Sequence, residues 1–500
     1  MAAVKATRGT LLILLQNAIQ FGIGLLFFTV AAKMLTATDI GFISTFTFIS
    51  VLFIAVAPLS LQVAAAKYVS EFLGQNKREK AASIVRTVRT WVFSVSACLF
   101  IVFSFILFFL LVDYPLKFDL VFLVLIYSFF STVRLTYQAF LQGLQQFKRY
   151  SLTGIVSMVS SRGLGIILII SGYGLYGVVI GWVMGEAIGS ILGVFFSRDL
   201  LPQTKSSYNY KTLLAFSLPL LFTTIVTTIS DWTDRILLFG NLDTLGVYEL
   251  VIRGSATLFL IWTALSTTLL PMFSESYGQS EKKDMTRLSK LSIRYMLFLI
   301  VPASVGLAAI SKSAMALLFG WEYTTGSTSL AILSLFSIFS SLGILASTIL
   351  QAMRNTKVFL KITIVTIIVN IVVSLILVPR FGINGAATAR ASMVFTNFIY
   401  VFSILRQEIS IEVDRTSLVK TFTASLIMAI PLFLFDYFYS GILITSAIVS
   451  VSLEILLGIG LYVAIMFSLK AFGKQDFNLI KEISPKSFTL FLKRFERFFI

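Results

Sequence analysis

The chain of 500 residues contains no histidine and a single cysteine, Cys98. Without histidine, a histidine-containing metal site and a histidine general base are both excluded, and one cysteine cannot form a disulfide within the chain. Charged residues make up only 13% of the sequence, whereas a typical soluble protein has roughly 25%. Such a chain lacks the polar side chains needed to cover a surface that faces water.

The sequence instead contains many long apolar segments. Hydrophobic residues make up 57% of the sequence, the mean hydropathy is +0.93, and apolar stretches recur along the whole chain. A helix of about 20 such residues crosses a hydrocarbon core of about 30 Å. We therefore predict an all-α polytopic membrane protein with about fourteen spans, near residues 9–32, 40–64, 90–112, 118–143, 152–171, 174–196, 212–236, 247–271, 292–311, 328–351, 358–378, 385–405, 417–438 and 441–469.

The basic residues predict the number and direction of these spans. Alternate links between the spans, together with the two ends, hold 31 of the 40 lysines and arginines, whereas the opposite links hold only four. Lysine and arginine accumulate in cytoplasmic links, so both termini are predicted to be cytoplasmic. Adding or removing one span would invert the asymmetry beyond that point. The net charge of +17 is thereby explained by membrane topology, and no nucleic-acid partner is predicted.

The two halves of the sequence resemble each other at an offset of about 204–209 residues. The segment Asp39 to Gly41 recurs as Asp243 to Gly246, and Gly174 to Gly177 recurs as Gly382 to Gly385. This offset crosses six predicted spans, so both repeats insert in the same orientation, as in transporters whose substrate site lies between two parallel lobes. We predict an N-lobe, a C-lobe, an appendage of two spans and a basic amphipathic cytoplasmic tail, over residues 1–200, 206–407, 415–470 and 471–500.

Five arginines fall within predicted spans, where a charged side chain costs roughly 2.5–3.5 kcal/mol at the bilayer centre unless it is paired or faces water. Arg134 and Gln138 share a helix face, and neither Arg134 nor Arg162 has an acid three or four residues away. Guanidinium groups suit phosphate oxygens, and amides suit sugar hydroxyls. The predicted substrate-binding residues of a polar, cationic lumen are Arg134, Gln138, Arg162, Arg253, Asn17, Asn370 and Arg390.

Some charges within the spans could be neutralised on their own helix, without any substrate. Glu249 and Arg253 stand four residues apart, as do Asp231 and Arg235, so each pair could form an ion pair along one helix face.

Two further arginines have alternatives of their own. Arg162 could pair with Glu186 of the sixth span. Arg390, near the predicted outer end of its span, could extend to the lipid headgroups.

Asp231 and Asp234 are candidates for ion coupling, because carboxylates inside a membrane commonly carry protons or Na⁺ in transporters.

Several short motifs occur in the order and spacing of a known group. They are Ala32 to Gly41, Asp234-Arg235, Leu318 to Tyr323 and Val378 to Ala387. Through them the chain resembles, over residues 10–410, the polysaccharide transporters and O-antigen flippases of the multidrug/oligosaccharidyl-lipid/polysaccharide exporter superfamily.

The resemblance implies that an oligosaccharide linked to a polyprenyl (pyro)phosphate moves from the cytoplasmic to the outer leaflet of the plasma membrane by alternating access. A proton or Na⁺ is the expected coupling ion, and glycosyltransferases or a polysaccharide polymerase are the expected partners. The murein-lipid flippases of this group carry arginines in spans one, two and eight. Only Arg253 corresponds here, which argues against a murein substrate.

No catalytic residue, metal site or cofactor is predicted. The sequence contains no G-x-x-x-x-G-K-[ST] loop and no Cys/His cluster, so we do not expect an enzyme. The alternative function is a cation-coupled multidrug exporter of the same fold, although such exporters commonly use an acid in the first span, where this chain has only amides. A scaffold without transport activity is a third hypothesis, and the polar residues within spans argue against it.

Overall fold

The structure is a computed structural model and describes residues 2–111, 118–202, 204–258, 269–270, 272–278, 282–353, 357–439 and 447–471. Throughout these ranges the regular secondary structure is helical, without strands. The predicted all-α membrane class is confirmed.

By its contacts the chain divides into two compact units, Met1–Glu249 and Leu250–Ile500. The helices of the first unit are α1 (Ala2–Met34), α2 (Ala37–Val56), α3 (Leu61–Gly74), α4 (Arg78–Leu111), α5 (Phe118–Gly143), α6 (Phe147–Leu168), α7 (Gly174–Ser197), α8 (Tyr210–Ile236) and the first half of α9 (Leu242–Ser255). Those of the second unit are the end of α9, α10 (Lys282–Ala309), α11 (Ser311–Leu318), α12 (Ser327–Ala352), α13 (Lys357–Glu408), α14 (Arg415–Tyr439) and α15 (Ala447–Ser468).

Eleven helical stretches among the described residues are long and apolar enough to cross a membrane. Two of them, 147–197 and 361–408, each contain two predicted spans. The predicted eighth span, 247–271, extends into residues outside the described ranges. Nearly all of the predicted tail, 471–500, lies outside them as well. The count of fourteen spans and the cytoplasmic location of the termini therefore remain predictions.

Apolar side chains cover the outward faces of these helices. On α4, Ile101 and Phe105 are 67% and 64% exposed, and on α7, Phe195 is 64% exposed. Apolar surface on this scale is stable against hydrocarbon and unfavourable against water.

The internal repeat is visible in the backbone at two glycines. Gly174 has φ 54° and ψ −133°, and Gly382, the repeat-related residue, has φ 52° and ψ −127°. Residues other than glycine rarely adopt this backbone conformation. Three residues later, a Cβ on Gly177 would lie 2.9 Å from the Leu168 carbonyl carbon, and one on Gly385 would lie 2.2 Å from the Leu377 oxygen. Each repeat thus joins two spans through the same sharp turn, while the predicted lobe boundaries remain predictions.

The two helices α14 and α15, the predicted appendage, pack against α10 of the second unit. Tyr462 donates a hydrogen bond to the Phe298 carbonyl at 3.0 Å. At the start of α14, Asp414 accepts hydrogen bonds from the Ser417 amide at 3.1 Å and hydroxyl at 2.6 Å. These bonds hold the pKa of Asp414 below its ordinary value, so the helix start is capped by a carboxylate.

A glycine stands at every fourth position on one face of α7: Gly177, Gly181, Gly185, Gly189 and Gly193, all of them buried. A Cβ on Gly181 would lie 2.4 Å from the Gly165 nitrogen of α6, and one on Gly185 would lie 2.3 Å from the Ser161 Cα. Small residues at this spacing let two membrane helices pack backbone against backbone. The stripe therefore sets the distance between α6 and α7.

The α6–α7 contact can be tested with Gly185→Ala. We expect the added methyl group to overpack the interface and cost about 1–3 kcal/mol, seen as a lower midpoint of thermal unfolding of the purified protein. The matched control is Gly163→Ala on α6, where a Cβ meets nothing within 4 Å. Equal midpoints for the two variants would contradict the role of the stripe.

Candidate functional site

Arg134 of α5 is paired with an acid from another helix. Its Nε lies 2.5 Å from the Glu186 Oε2 of α7, and the two side chains are 13% and 8% exposed. Its Nη1 donates to the Gln138 Oε1 at 2.5 Å, and the Gln138 amide in turn donates to the Tyr150 carbonyl at 3.0 Å. The cluster satisfies a buried positive charge without any ligand.

This pairing changes the interpretation of Arg134. The sequence shows no acid near Arg134 along its own helix, but the fold brings in Glu186 from 52 residues away. The sequence offers Glu186 as a partner for Arg162, whereas the salt bridge that Glu186 forms is with Arg134. A structural role therefore accounts for the buried charge, and phosphate binding by Arg134 remains only a prediction.

Arg162 of α6 is held by two aromatic rings. Its guanidinium carbon lies 4.7 Å from the ring centroid of Phe27 and 4.7 Å from that of Trp182. Stacking fixes the plane of a guanidinium group while its N–H donors point outward from the edge. The indole Nε1 of Trp182 is buried without a hydrogen-bond partner among the described residues.

A second buried network joins α2, α8 and α9. The Arg235 Nε lies 3.5 Å from the Glu249 Oε2, and the Ser44 hydroxyl donates to the same oxygen at 3.1 Å. Tyr248 donates to the Asp234 Oδ2 at 2.6 Å. Asp234 and Glu249 are both 0% exposed, so this arginine and these acids stabilise contacts between helices.

The two candidate coupling acids therefore differ. Asp234 is enclosed and hydrogen-bonded, whereas Asp231, one turn earlier on α8, is exposed. Thr224, also exposed, lies on the same face of α8. Of the two, only Asp231 presents its carboxylate at the surface of the helices.

The repeat-related segments at the starts of α2 and α9 lie against each other. A Cβ on Gly41 would lie 2.1 Å from the Leu242 oxygen, and one on Gly246 would lie 2.0 Å from the Ala37 oxygen. Thr38 donates a hydrogen bond to Asp243 across this crossing. Because the two glycines are equivalent positions of the repeat, the contact has an approximate two-fold relation.

In the second unit, Arg390 of α13 lines a cavity of about 230 Å³. Four serines from the end of α9 and from α12 line the same cavity, namely Ser255, Ser337, Ser340 and Ser341. Eight residues, or about 12 Å of helix, separate Arg390 from the turn at Gly382. The cavity thus offers one guanidinium group and several hydroxyl groups at a depth within the apolar part of the helices.

The remaining predicted residues are divided between the units. Asn17 is exposed on α1, and Arg253 is half-buried near the end of α9. Asn370 is buried on α13, where it accepts a hydrogen bond from Ser374 at 3.3 Å.

Several residues that contact this set do not belong to the predicted site. Glu186, Phe27 and Trp182 could not be assigned without knowing which helices touch. The serines of α12 had a visible signal, since Ser334, Ser337 and Ser341 repeat every three or four residues in an apolar helix. No cluster of three or more metal-ligating side chains occurs in the described ranges.

The model of one protein family, described as "Polysaccharide biosynthesis protein", matches residues 30–328. The chain belongs to this family. Among curated proteins, it is 26% identical over 286 residues to the probable low-salt glycan biosynthesis flippase Agl15 of Haloferax volcanii, covering 56% of this chain and 59% of that protein. The match thus spans less than two thirds of that relative's length.

Solved structures show that this family member shares a known transporter fold. It superimposes on the inward closed conformation of the lipid II flippase MurJ with a TM-score of 0.71 and 17% identity, over 90% of this chain and 97% of that one. An inward-facing multidrug resistance MATE family transporter gives a TM-score of 0.65 with 16% identity, over 80% and 98% of the two chains. At these identities, the likeness concerns the fold.

The Arg134–Glu186 pair can be tested by replacing Arg134 alone and then both residues together. Arg134→Met leaves the Glu186 carboxylate buried without its partner, which typically costs about 3–5 kcal/mol. We expect the unfolding midpoint and the yield of folded protein to fall. In the double variant Arg134→Met/Glu186→Met, both charges are absent, and most of the loss should be recovered. A double variant less stable than Arg134→Met would contradict a mainly structural pair.

Proposed function

We propose that this protein is a flippase in the plasma membrane that moves a polyprenyl-(pyro)phosphate-linked oligosaccharide from the cytoplasmic to the outer leaflet. Membership of a polysaccharide biosynthesis family, a relative named as a glycan biosynthesis flippase and the fold of a lipid II flippase support this proposal. Glycosyltransferases that build such a substrate and a polymerase that consumes it are the proposed partners.

The observation that carries the proposal is the cavity around Arg390. A phosphate-linked glycan carries both an anionic group and sugar hydroxyl groups, and the cavity offers a partner for each. The Arg390 guanidinium suits a phosphate oxygen pair, and Ser255, Ser337, Ser340 and Ser341 suit sugar hydroxyls.

The α2–α9 crossing suggests how access is controlled. In this structure, the starts of two repeat-related helices touch at Gly41 and Gly246, on the side that the charge distribution predicts to be outer. Alternating access in parallel repeats requires such a contact to separate on one side of the membrane while another forms on the opposite side. We propose that this crossing opens when the substrate leaves.

A cation-coupled multidrug exporter is the second candidate, supported by the MATE-like fold. Its substrates are commonly cations, which an Arg390-lined cavity would repel. On α1, the polar residues Gln16, Asn17 and Gln20 are amides and carry no charge that would attract a cation. The charge of the cavity therefore favours the glycan flippase.

Arg390→Gln tests the anion site. Losing a charge-assisted contact worth about 1.5–3 kcal/mol should slow the flipping of a polyprenyl-pyrophosphate oligosaccharide in proteoliposomes by roughly tenfold to a hundredfold. Arg380→Gln, which removes an exposed arginine from the same helix, should flip at the wild-type rate. Both variants should elute and unfold as the wild type does.

Two results would decide against the proposal. If Arg390→Gln flips the glycolipid at the wild-type rate, Arg390 does not bind the substrate phosphate. Failure of the wild type to flip the glycolipid, together with export of cationic drugs, would favour the multidrug exporter.

We also propose that Asp231 carries the coupling ion, because it is the exposed acid of α8. In Asp231→Asn, an imposed proton or Na⁺ gradient should no longer accelerate flipping in proteoliposomes, while exchange without a gradient persists. Glu275→Gln, which neutralises an exposed acid in the second unit, is the control. Unchanged acceleration in Asp231→Asn would show that the ion binds elsewhere.

A further inference from the structure

A pocket on the first unit lies among the ends of α4, α5 and α7. Its volume is about 470 Å³, and three arginines line it: Arg86 and Arg89 of α4, and Arg198 directly after α7. The Arg86 Nη1 donates to the Thr204 carbonyl at 2.9 Å. This bond holds the segment that follows α7 in place as one wall of the pocket.

The pocket is strongly positive. None of its described lining residues is acidic, and the salt bridges among the described residues do not include Arg86, Arg89 or Arg198. Arg89 and Arg198 are exposed, so their charges are available to a ligand. Three guanidinium groups around one cavity repel each other, and an anion would relieve that repulsion.

The pocket is predicted to lie at the level of the lipid headgroups. Arg86 and Arg89 come directly before the predicted span 90–112. Next to them, Trp91 stacks on Tyr210 with 5.1 Å between ring centroids, and the two side chains are 37% and 42% exposed. Partly exposed tryptophan and tyrosine are typical of the membrane–water interface.

Part of the remaining lining is apolar and adjoins the lipid-facing surface. Val85, Phe140, Leu144, Val194 and Leu201 contribute this apolar part, beside the polar side chains of Tyr137, Ser197 and Thr204. Val194 is 39% exposed, and its neighbours on α7, Ile191 and Phe195, are 66% and 64% exposed. A ligand in this pocket therefore meets both guanidinium groups and apolar side chains, which suits an amphiphile better than a free anion.

We propose that this pocket binds the phosphate headgroup of an anionic phospholipid, such as phosphatidylglycerol, from the leaflet predicted to be cytoplasmic. The arginines hold the phosphate, and the apolar wall covers the glycerol and the first part of the acyl chains. Basic pockets between membrane helices on the cytoplasmic side are suited to acidic headgroups. The site is separate from the Arg390 cavity and does not depend on the transported substrate.

Native mass spectrometry of the full-length protein in detergent tests this site, with phosphatidylglycerol and phosphatidylcholine as probes. The wild type should retain phosphatidylglycerol in preference to phosphatidylcholine. The variant Arg89→Gln/Arg198→Gln keeps the Arg86–Thr204 bond and should bind phosphatidylglycerol roughly tenfold or more weakly, at about 1 kcal/mol for each basic residue near the surface.

The matched control is Arg78→Gln/Lys80→Gln, which removes the same charge from exposed positions of α4 outside the pocket. It should retain phosphatidylglycerol as the wild type does. Equal retention of both lipids by the wild type, or equal losses in the two double variants, would overturn the proposal. Displacement of phosphatidylglycerol by an equal concentration of inorganic pyrophosphate would assign the pocket to a soluble anion and overturn the lipid assignment.

If Arg89→Gln/Arg198→Gln does not fold, the preference of the wild type for phosphatidylglycerol over phosphatidylcholine still tests the proposal. In that case the protein should also unfold at a higher temperature with phosphatidylglycerol than with phosphatidylcholine, because a ligand that binds the folded state stabilises it. Identical unfolding temperatures in the two lipids would overturn the proposal.

Discussion

The first unit depends on the close contact between α6 and α7. Hydrocarbon does not drive two apolar helices together, so association within a bilayer relies on tight packing and on polar contacts. The glycines of α7 allow that packing, and the helix then carries Glu186 to Arg134 while the Arg134 side chain crosses Gly189, where a Cβ would lie 2.6 Å from the Arg134 Cδ. The glycine stripe and the buried ion pair therefore meet on α7 at Gly189, which contacts both Arg134 of α5 and Ser157 of α6.

The arginines inside the spans are accommodated in different ways. Arg134 and Arg235 are neutralised by acids of other helices, Glu186 and Glu249. Arg162 is stacked between two aromatic rings. Arg390 borders a cavity with serine hydroxyls. The cavity beside Arg390 combines a guanidinium group with several hydroxyl groups, and this combination directs the proposed function to the second unit.

The internal repeat has consequences beyond symmetry. The same sharp turn occurs at Gly174 and Gly382, and the same small residue at Gly41 and Gly246 lets two helix starts cross. At this crossing both sides present backbone to each other, and the Thr38–Asp243 hydrogen bond adds a side-chain contact between the two repeat-related helix starts.

The sequence by itself determined the membrane class, the approximate spans, the repeat and the family, because these depend on the hydropathy of long segments and on the order of short motifs. It also identified Arg390 and the two acids of α8 as residues that need an explanation. Only the tertiary structure decided which charges are compensated. Glu186 and Arg134 are 52 residues apart in sequence, and helical periodicity relates residues within one helix, not residues on different helices. For the same reason the arginine-lined pocket of the first unit could not be foreseen: its basic residues look like ordinary cytoplasmic charge until the fold places them around one cavity.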